Sequence, residues 1–354
     1  MFHGPNEGGV YSIEAIILAG GFGTRLQPLT YTRAKSLLPI LNKPMITYLI
    51  DMLPQEVDKV ILAVNYQKDQ IESYFNTNKY DKKIIVNDEP EPLGTGGAVK
   101  FAEDHITGPF FVLNADTICS LNLQKMIAFH KEKQAVATIS LWPVEHVSEF
   151  GVVEIQKNGN ISNFVEKPKP EDAPSNLINA GAYLLEPEVL DYIEKGRLIS
   201  MEKEIFPQII NDTGKFFGYI FQGFWVDVGR ISSYLHVNDL LLKQRHLSSL
   251  QGKQSIIDGK LSATCVGDSV TIQKNSTIHS SVIFDHVYIK ENVQLQNCVV
   301  GEGCLINKQC ILQDVVIGDK EVIAKQTTKN NALIWTKPIP AGYPKKQIGN
   351  VIGE

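Results

Sequence analysis

Residues 13–26 read I-E-A-I-I-L-A-G-G-F-G-T-R-L. Ile13–Ala19 is a mostly apolar run of strand length, and it passes directly into Gly20-Gly21-Phe22-Gly23-Thr24-Arg25-Leu26. No Gly-Lys-Ser/Thr follows, so this is not a mononucleotide P-loop, and Leu26 stands where a dinucleotide fingerprint has its third glycine. Three glycines in four positions permit positive φ and let backbone N–H groups come close to a ligand. Arg25 ends the loop and Lys35 follows ten residues later, one a forked cation and the other a compact one. A polyphosphate suits such a nest; a tight turn followed by two solvated cations fits the same residues.

Outward from this stretch, strand-like and helix-like segments alternate. Lys59–Asn65, Lys83–Val86 and Pro109–Asn114 read as buried strands, while Met45–Leu53, Lys68–Phe75, Gly96–Glu103 and Leu121–Lys133 show helical spacing. That order predicts an α/β unit, a Rossmann-like and mostly parallel sheet with ligands at the carboxyl ends of its strands. Ala135–Trp142, Gly151–Ile155, Ile161–Val165 and Gly181–Leu185 come with fewer helices and predict an antiparallel addition. Arg230–Arg245 predicts a final amphipathic helix.

After Leu250 the pattern becomes a repeat. Val266, Ile283, Val300 and Ile317 form one aliphatic column; Ile272, Ile289, Ile306 and Ile323 form a second; Ile278, Leu295 and Leu312 form a third. Two residues before these positions stand small or β-branched residues, among them Cys298, Cys304 and Cys310, so both sets point inward along short strands. Three short strands per coil make a triangular prism whose stability belongs to the stack. The expected domains are therefore 1–247, with 1–12 as a flexible leader, and 248–354.

The 354 residues are 43% hydrophobic and 21% charged, with a net charge of -5, which argues against a nucleic-acid or anionic-membrane binder. No apolar run nears the roughly 20 residues of a membrane span. Residues 1–12 lack the basic and apolar regions of a signal peptide. Five cysteines without a C-x-x-C pair argue against a disulfide framework or a zinc site and favour a cytoplasmic location.

The run L-A-G-G-F-G-T-R-L-Q-P-L-T followed by A-K-S-L-L-P-I-L-N-K-P resembles the signature of sugar-nucleotide pyrophosphorylases. The later repeat resembles the hexapeptide-repeat left-handed parallel β-helix. The resemblance implies nucleotide contacts from Leu18, Gly20, Gly21, Gly23 and Thr24, with Arg25 and Lys35 on the phosphates that leave as pyrophosphate. Glu91, Leu93 and Gly94, in E-P-L-G-T-G-G, resemble a base-recognition segment. Asp116, in F-F-V-L-N-A-D, and Asp227, in W-V-D-V-G, are the implied ligands of Mg2+, a hard ion suited to carboxylate and phosphate oxygen. Gly151, Glu166 and Asn179 are the implied sugar contacts, and Lys167 pairs with the sugar phosphate. Read alone, each aspartate also fits a turn former, and Glu166–Lys167 an ordinary surface pair.

These motifs, with F-V-E-K-P and I-N-A-G-A-Y, are most similar to the branch of that family that joins mannose 1-phosphate to GTP, although Gln27 stands where an arginine is common and S-L-L-P-I resembles thymidylyl- and glucose-specific relatives; the alternative is glucose 1-phosphate with dTTP, UTP or ATP. The resemblance also implies a homo-oligomer formed partly through the β-helix, without nucleic-acid or membrane partners. Two rivals come from other classes. An acyltransferase on the repeat would use His279 or His286, but no coil carries a long insertion. A non-catalytic regulatory relative would not need Arg25, Lys35 and both aspartates.

Overall fold

The computed structural model describes residues 12–344, so most of the expected leader lies outside the described residues. Two compact units divide the chain: Met1–Gly21 with Tyr48–Trp225, and Phe22–Thr47 with Val226–Glu354. The division expected from sequence, at 247/248, follows chain order. These units follow packing, and residues 22–47 and 226–247 group with the coils. No described helix is long and apolar enough to cross a membrane.

The first unit is built on one mixed sheet of nine strands. Its members are β1 (Ile13–Leu18), β2 (Val57–Val64), β3 (Lys83–Asp88), β4 (Phe110–Asn114), β5 (Ala137–Pro143), β6 (Gly151–Ile155), β7 (Ile161–Glu166), β8 (Leu177–Leu185) and β9 (Phe216–Ile220). The path is β7-β6-β8-β4-β1-β2-β3, with β5 paired to β8 and β9 to β5. β1 runs parallel to β2 and β4, and β2 parallel to β3, the Rossmann-like half expected from the alternating segments. β8 runs antiparallel to β4, β5 and β6, which is the antiparallel addition. Ala15, Ile16 and Ile17 on β1 and Phe111 and Val112 on β4 are fully buried, as central strands covered on both faces require.

Helices follow the strands for local reasons. In Leu123–Lys133 the Asn122 side chain caps the Lys125 N–H at 2.9 Å, and His130, Lys131 and Lys133 sit at the carbonyl end. Leu123, Met126, Ile127 and His130 form its buried stripe. The buried His130 ring bonds Thr138 at 2.7 Å and Glu186 at 3.2 Å. β8 begins at Leu177, earlier than the apolar pattern predicts, because its pairing with β5 shifts register between Asn179 and Tyr183, where Gly181 takes φ +79°.

The second unit contains the left-handed β-helix. Parallel pairing links Val266 to Ile283, Ile283 to Val300 and Val300 to Ile317, each one coil of 17 residues apart. The aliphatic columns point inward: Val266, Ile272, Ile289, Val300, Ile306 and Ile317 are all fully buried. Coil corners take positive φ in columns, as at Ser280, Asn297, Asp314 and Asn331 (φ 46°, 51°, 52° and 47°), where short polar side chains tolerate the left-handed region.

The small inward residues do more than fill space. Ser276 Oγ donates to Lys290 O at 2.9 Å, and the thiols of Cys298, Cys304 and Cys310 lie 3.4, 3.0 and 3.1 Å from Leu312 O, Gly318 O and Ala324 O, each 14 residues further on. One short side chain therefore ties each coil to the next. Burial pushes the Cys298 thiol up to about 11 and the Cys265 and Cys304 thiols up to about 12, so they stay protonated at neutral pH. A maleimide or aromatic disulfide probe at pH 8 is expected to leave Cys265, Cys298, Cys304 and Cys310 unmodified in the folded protein while labelling every cysteine in denaturant. Rapid labelling of these four in the folded state would contradict their placement.

Candidate functional site

In the first unit, the sequence-predicted residues collect at one edge of the sheet. Leu18 pairs with both Ala63 and Asn114, so β1, β2 and β4 end level, and the Ala115 N–H donates to Leu18 O at 3.2 Å. Gly20 follows β1, and a Cβ on it would lie 3.4 Å from Asn65 N; Gly21 has nothing within 4 Å. Asp116 is half-buried in the turn that follows β4. Because β8 is antiparallel to β4, its beginning reaches the same edge: a Cβ on Gly181 would lie 2.8 Å from Asn114 Nδ2, so glycine there admits the Asn114 amide.

The expected sugar contacts lie beside one another. Gly151 pairs with Glu166, and a Cβ at Gly151 would meet Glu166 Oε2 at 2.8 Å and Phe164 Cζ at 2.5 Å. Glu166 is mostly covered, while the Lys167 ammonium, 3.4 Å from Glu166 Oε1, is well exposed. Asn179 accepts the Gly181 N–H at 2.9 Å and donates to Tyr183 Oη at 2.8 Å.

That last bond opens a network that reading the sequence missed. Tyr183 donates to Glu202 Oε1 at 3.2 Å, and Glu202 Oε2 accepts from Thr95 Oγ1 and Ser200 Oγ, both at 2.7 Å. Tyr183 is fully buried, which holds its hydroxyl protonated far above ordinary pH. Glu202 lies in the wide π-type turn Met201–Ile205, from a stretch of chain with no strong periodicity. The network ties Asn179 to the helix Gly94–Phe101, which carries the E-P-L-G-T-G-G segment. Gly94, with φ +73°, and Gly97 are required by packing: an added Cβ would come within 2.6 Å of Ile199 O or 2.5 Å of Arg197 O. Gly96 N donates to Ile199 O at 2.8 Å. Leu93 is buried and its N–H bonds Glu89, whose carboxyl burial pushes up, whereas Glu91 is exposed.

The second unit gathers the remaining predicted residues around two glycines. Gly23 takes φ +65°, and a Cβ on it would lie 2.9 Å from Thr30 Cγ2 and 3.1 Å from Lys35 Cβ. A Cβ on Gly229 would lie 2.6 Å from Arg25 Nη2 and 2.9 Å from Asp227 Oδ2. Arg25, Lys35, Asp227 and Thr24 thus belong to one neighbourhood, with Arg25 exposed and Lys35 and Asp227 half-buried.

This neighbourhood is held by the coils. Thr32 Oγ1 donates to Asp319 at 2.7 Å, Arg33 bonds Glu302 at 2.6 Å and lies over the Phe284 ring, and Asn42 donates to Val266 O at 2.6 Å. Leu41 N donates to Asn238 on the helix Ile231–Gln244 at 2.9 Å. The aspartates show a 17-residue ladder of their own, with Glu302 N donating to Asp319 Oδ1 at 2.7 Å and Asp268 N to Asp285 Oδ1 at 2.7 Å. Its period was available in the sequence; its partner in residues 22–47 was not.

Residues 14–244 match the model of the nucleotidyl transferase family. The chain belongs to that family. A second model, the GMPPB C-terminal domain, matches residues 252–348 of this nucleotidyl transferase. The mannose-1-phosphate guanyltransferase of Schizosaccharomyces pombe is 41% identical over 279 residues, 74% of each chain. A probable mannose-1-phosphate guanylyltransferase 2 of Arabidopsis thaliana is 44% identical over 234 residues, 63% of each chain, so that match spans less than two thirds of the relative's length. Among solved structures, UDP-glucose pyrophosphorylase complexed with UDP-glucose superposes with a TM-score of 0.59 at 26% identity, covering 66% of this chain and 99% of that one. HddC of Yersinia pseudotuberculosis complexed with GMP-PN gives 0.54 at 29% identity, with 65% and 99% covered.

Replacing Glu202 of this nucleotidyl transferase by Ala removes the acceptor of three hydroxyls. The expected loss is about 1–3 kcal/mol of stability, the scale for leaving partly buried polar groups unpaired. Thermal unfolding against Glu202→Gln, which keeps the side-chain carbonyl acceptor, checks it, and equal melting of both variants and the wild type would remove the network's role.

Proposed function

We propose that the protein joins mannose 1-phosphate to GTP, giving GDP-mannose and pyrophosphate. An oxygen of the sugar phosphate attacks the α-phosphorus in line, forming a new P–O bond as the bond to the pyrophosphate oxygen breaks and its electron pair leaves with pyrophosphate. Two anions must meet, so catalysis rests on positioning and charge neutralisation, with no covalent enzyme intermediate. The observation that carries this reading is the neighbourhood of Gly23, Arg25, Lys35 and Asp227 around two glycines that leave no room for a Cβ. The names of the fungal and plant relatives support mannose 1-phosphate and the guanine nucleotide.

In this reading the backbone from Gly20 to Thr24 cradles phosphate oxygens, and Leu18 borders the nucleotide. Arg25 and Lys35 neutralise the leaving pyrophosphate, while Lys167 orients the attacking phosphate. Glu166 and Asn179 bond sugar hydroxyls and Gly151 lets the ring approach. Glu91, Leu93 and Gly94 meet the base. Among the described residues no group of three or more His, Cys, Asp or Glu is gathered as a metal site. Asp116 and Asp227 would be the carboxylates that hold Mg2+, an ion that favours hard oxygen ligands. When bound, the ion supplies neutralisation of phosphate charge.

A second reading keeps the chemistry and changes the pair to glucose 1-phosphate with UTP, dTTP or ATP; the likeness to UDP-glucose pyrophosphorylase favours it. An assay of pyrophosphate release over GTP, ATP, UTP and dTTP with each sugar phosphate separates the two. Arg25→Ala is expected to lower the rate by roughly 10²–10³, the scale for one electrostatic donor. Undiminished turnover in that variant would refute the role given to the glycine loop.

We further propose a homo-oligomer that uses the β-helix, in a reducing compartment such as the cytoplasm. One outward column of the coils, Ile256, Thr271, Tyr288, Leu305 and Val322, is in parallel register, and its Ile256 and Val322 are 61% and 65% exposed. An apolar stripe on a flat sheet face is what a second copy covers. Light scattering is expected to give a multiple of the chain mass, reduced by Val322→Lys with Tyr288→Glu; a monomer mass for the wild type would end this proposal.

A further inference from the structure

Residues 335–343 follow the last strand of the coils and return to the loop that carries Gly23. Trp335 covers Gly318, where a Cβ would lie 2.4 Å from the indole, and Tyr31 meets Trp335 at 5.3 Å and Tyr343 at 4.9 Å between ring centres. Tyr343 is buried, stands edge-on to Phe22 at 6.2 Å, and brings its hydroxyl to 2.8 Å from Thr30 Oγ1 and 3.2 Å from Phe22 O. Thr30 Oγ1 lies 3.0 Å from Gly23 O as its donor. A hydroxyl has one proton. With Thr30 donating to Gly23, the single Tyr343 proton is shared between Thr30 Oγ1 at 2.8 Å and Phe22 O at 3.2 Å, so the bonds run from the C-terminal segment to the loop.

The acceptor at the end of this relay is the decisive atom. Gly23 O also accepts the Leu26 N–H at 2.9 Å, so two donors hold that carbonyl in place. In a planar trans peptide the carbonyl and the following N–H point in opposite directions, so fixing Gly23 O also fixes the aim of the Thr24 N–H. Gly23 lacks a Cβ and has a wide choice of backbone conformations, so an unanchored loop at this point would sample several.

We propose that Tyr343 is a positioning residue for nucleotide binding: through Thr30 it locks the Gly23–Thr24 peptide so that the Thr24 N–H is aimed for a phosphate oxygen before the triphosphate arrives. This rests on the reading that the glycine loop binds the triphosphate. It assigns to the segment after the β-helix a part in substrate affinity beyond assembly. Preorganisation of this kind acts on the ligand the loop holds and not on the other substrate.

The test compares Tyr343→Phe and Thr30→Val with the wild type and with Thr336→Val. Thr336 is in the same segment and bonds Glu321 of the coils at 2.8 Å. Forward kinetics yield separate KM values for nucleotide and sugar phosphate, and the reverse reaction gives KM for pyrophosphate. Tyr343→Phe and Thr30→Val are expected to raise KM for nucleotide and pyrophosphate by about three- to tenfold, the worth of one hydrogen bond, with KM for sugar phosphate within about twofold. Thr336→Val is expected to leave all three unchanged. Amide hydrogen exchange at Thr24–Leu26 is expected to quicken in the first two variants alone. Unchanged nucleotide KM, parallel rises in both substrates' KM, or an equal effect of Thr336→Val would each overturn the proposal. If the wild type turns over no nucleotide, the proposed reaction fails, and the exchange measurement still decides the relay: unaltered exchange in Tyr343→Phe overturns it.

Discussion

The structure of the first unit depends on the level parallel pairing of β1 with its two neighbours. Leu18 is opposite both Ala63 and Asn114, so the chain leaves three strands at one height and delivers Gly20, Asn65 and Asp116 to a common edge. A slip of one residue would turn every inward side chain of β1 to the other face, and Ala15, Ile16 and Ile17 are all wholly buried. The antiparallel strand β8 exploits the same edge from the opposite direction, which brings Asn179 and Gly181 to the place where β4 ends.

Glycine sets how closely these parts approach. At Gly94, Gly97, Gly151, Gly181 and Gly229 an added Cβ would come within 3 Å of a carbonyl, an aromatic ring, an amide, a carboxylate or a guanidinium. The glycines of E-P-L-G-T-G-G show why the distinction between packing and binding matters. Their absent side chains are used first to seat Ile199 and Arg197 backbone, and any base contact is built on that seating. Charge and structural glycine are one arrangement here: Arg25 and Asp227 flank Gly229 because nothing projects from it.

The β-helix has a second use besides stacking. Its ladder of buried residues closes one coil on the next through backbone pairs and through serine and cysteine side chains. The polar rim of the same coils supplies Glu302 and Asp319 to Arg33 and Thr32, and a backbone carbonyl to Asn42. The loop that carries Arg25 and Lys35 thereby has a support from sequence almost 300 residues away.

Periodicity was enough to define both architectures from sequence alone. Alternating strand and helix patterns specified the parallel sheet, and aliphatic residues every five or six positions specified the coils, because burial acts on each residue locally and leaves a mark at fixed spacing. The glycine loop stood out as three glycines in four positions ahead of Arg25, whereas Asp116, Asp227 and Glu166 were singled out by the resemblance of their surrounding motifs and not by residue type. The anchors were not legible. Glu202 holds Tyr183 and Thr95, and Tyr343 and Asp319 reach residues 22–47, through contacts between segments about 20 to more than 300 residues apart. Such pairs leave no period in the chain: any hydroxyl or carboxylate could stand at either end, and only the folded backbone decides which of them meet.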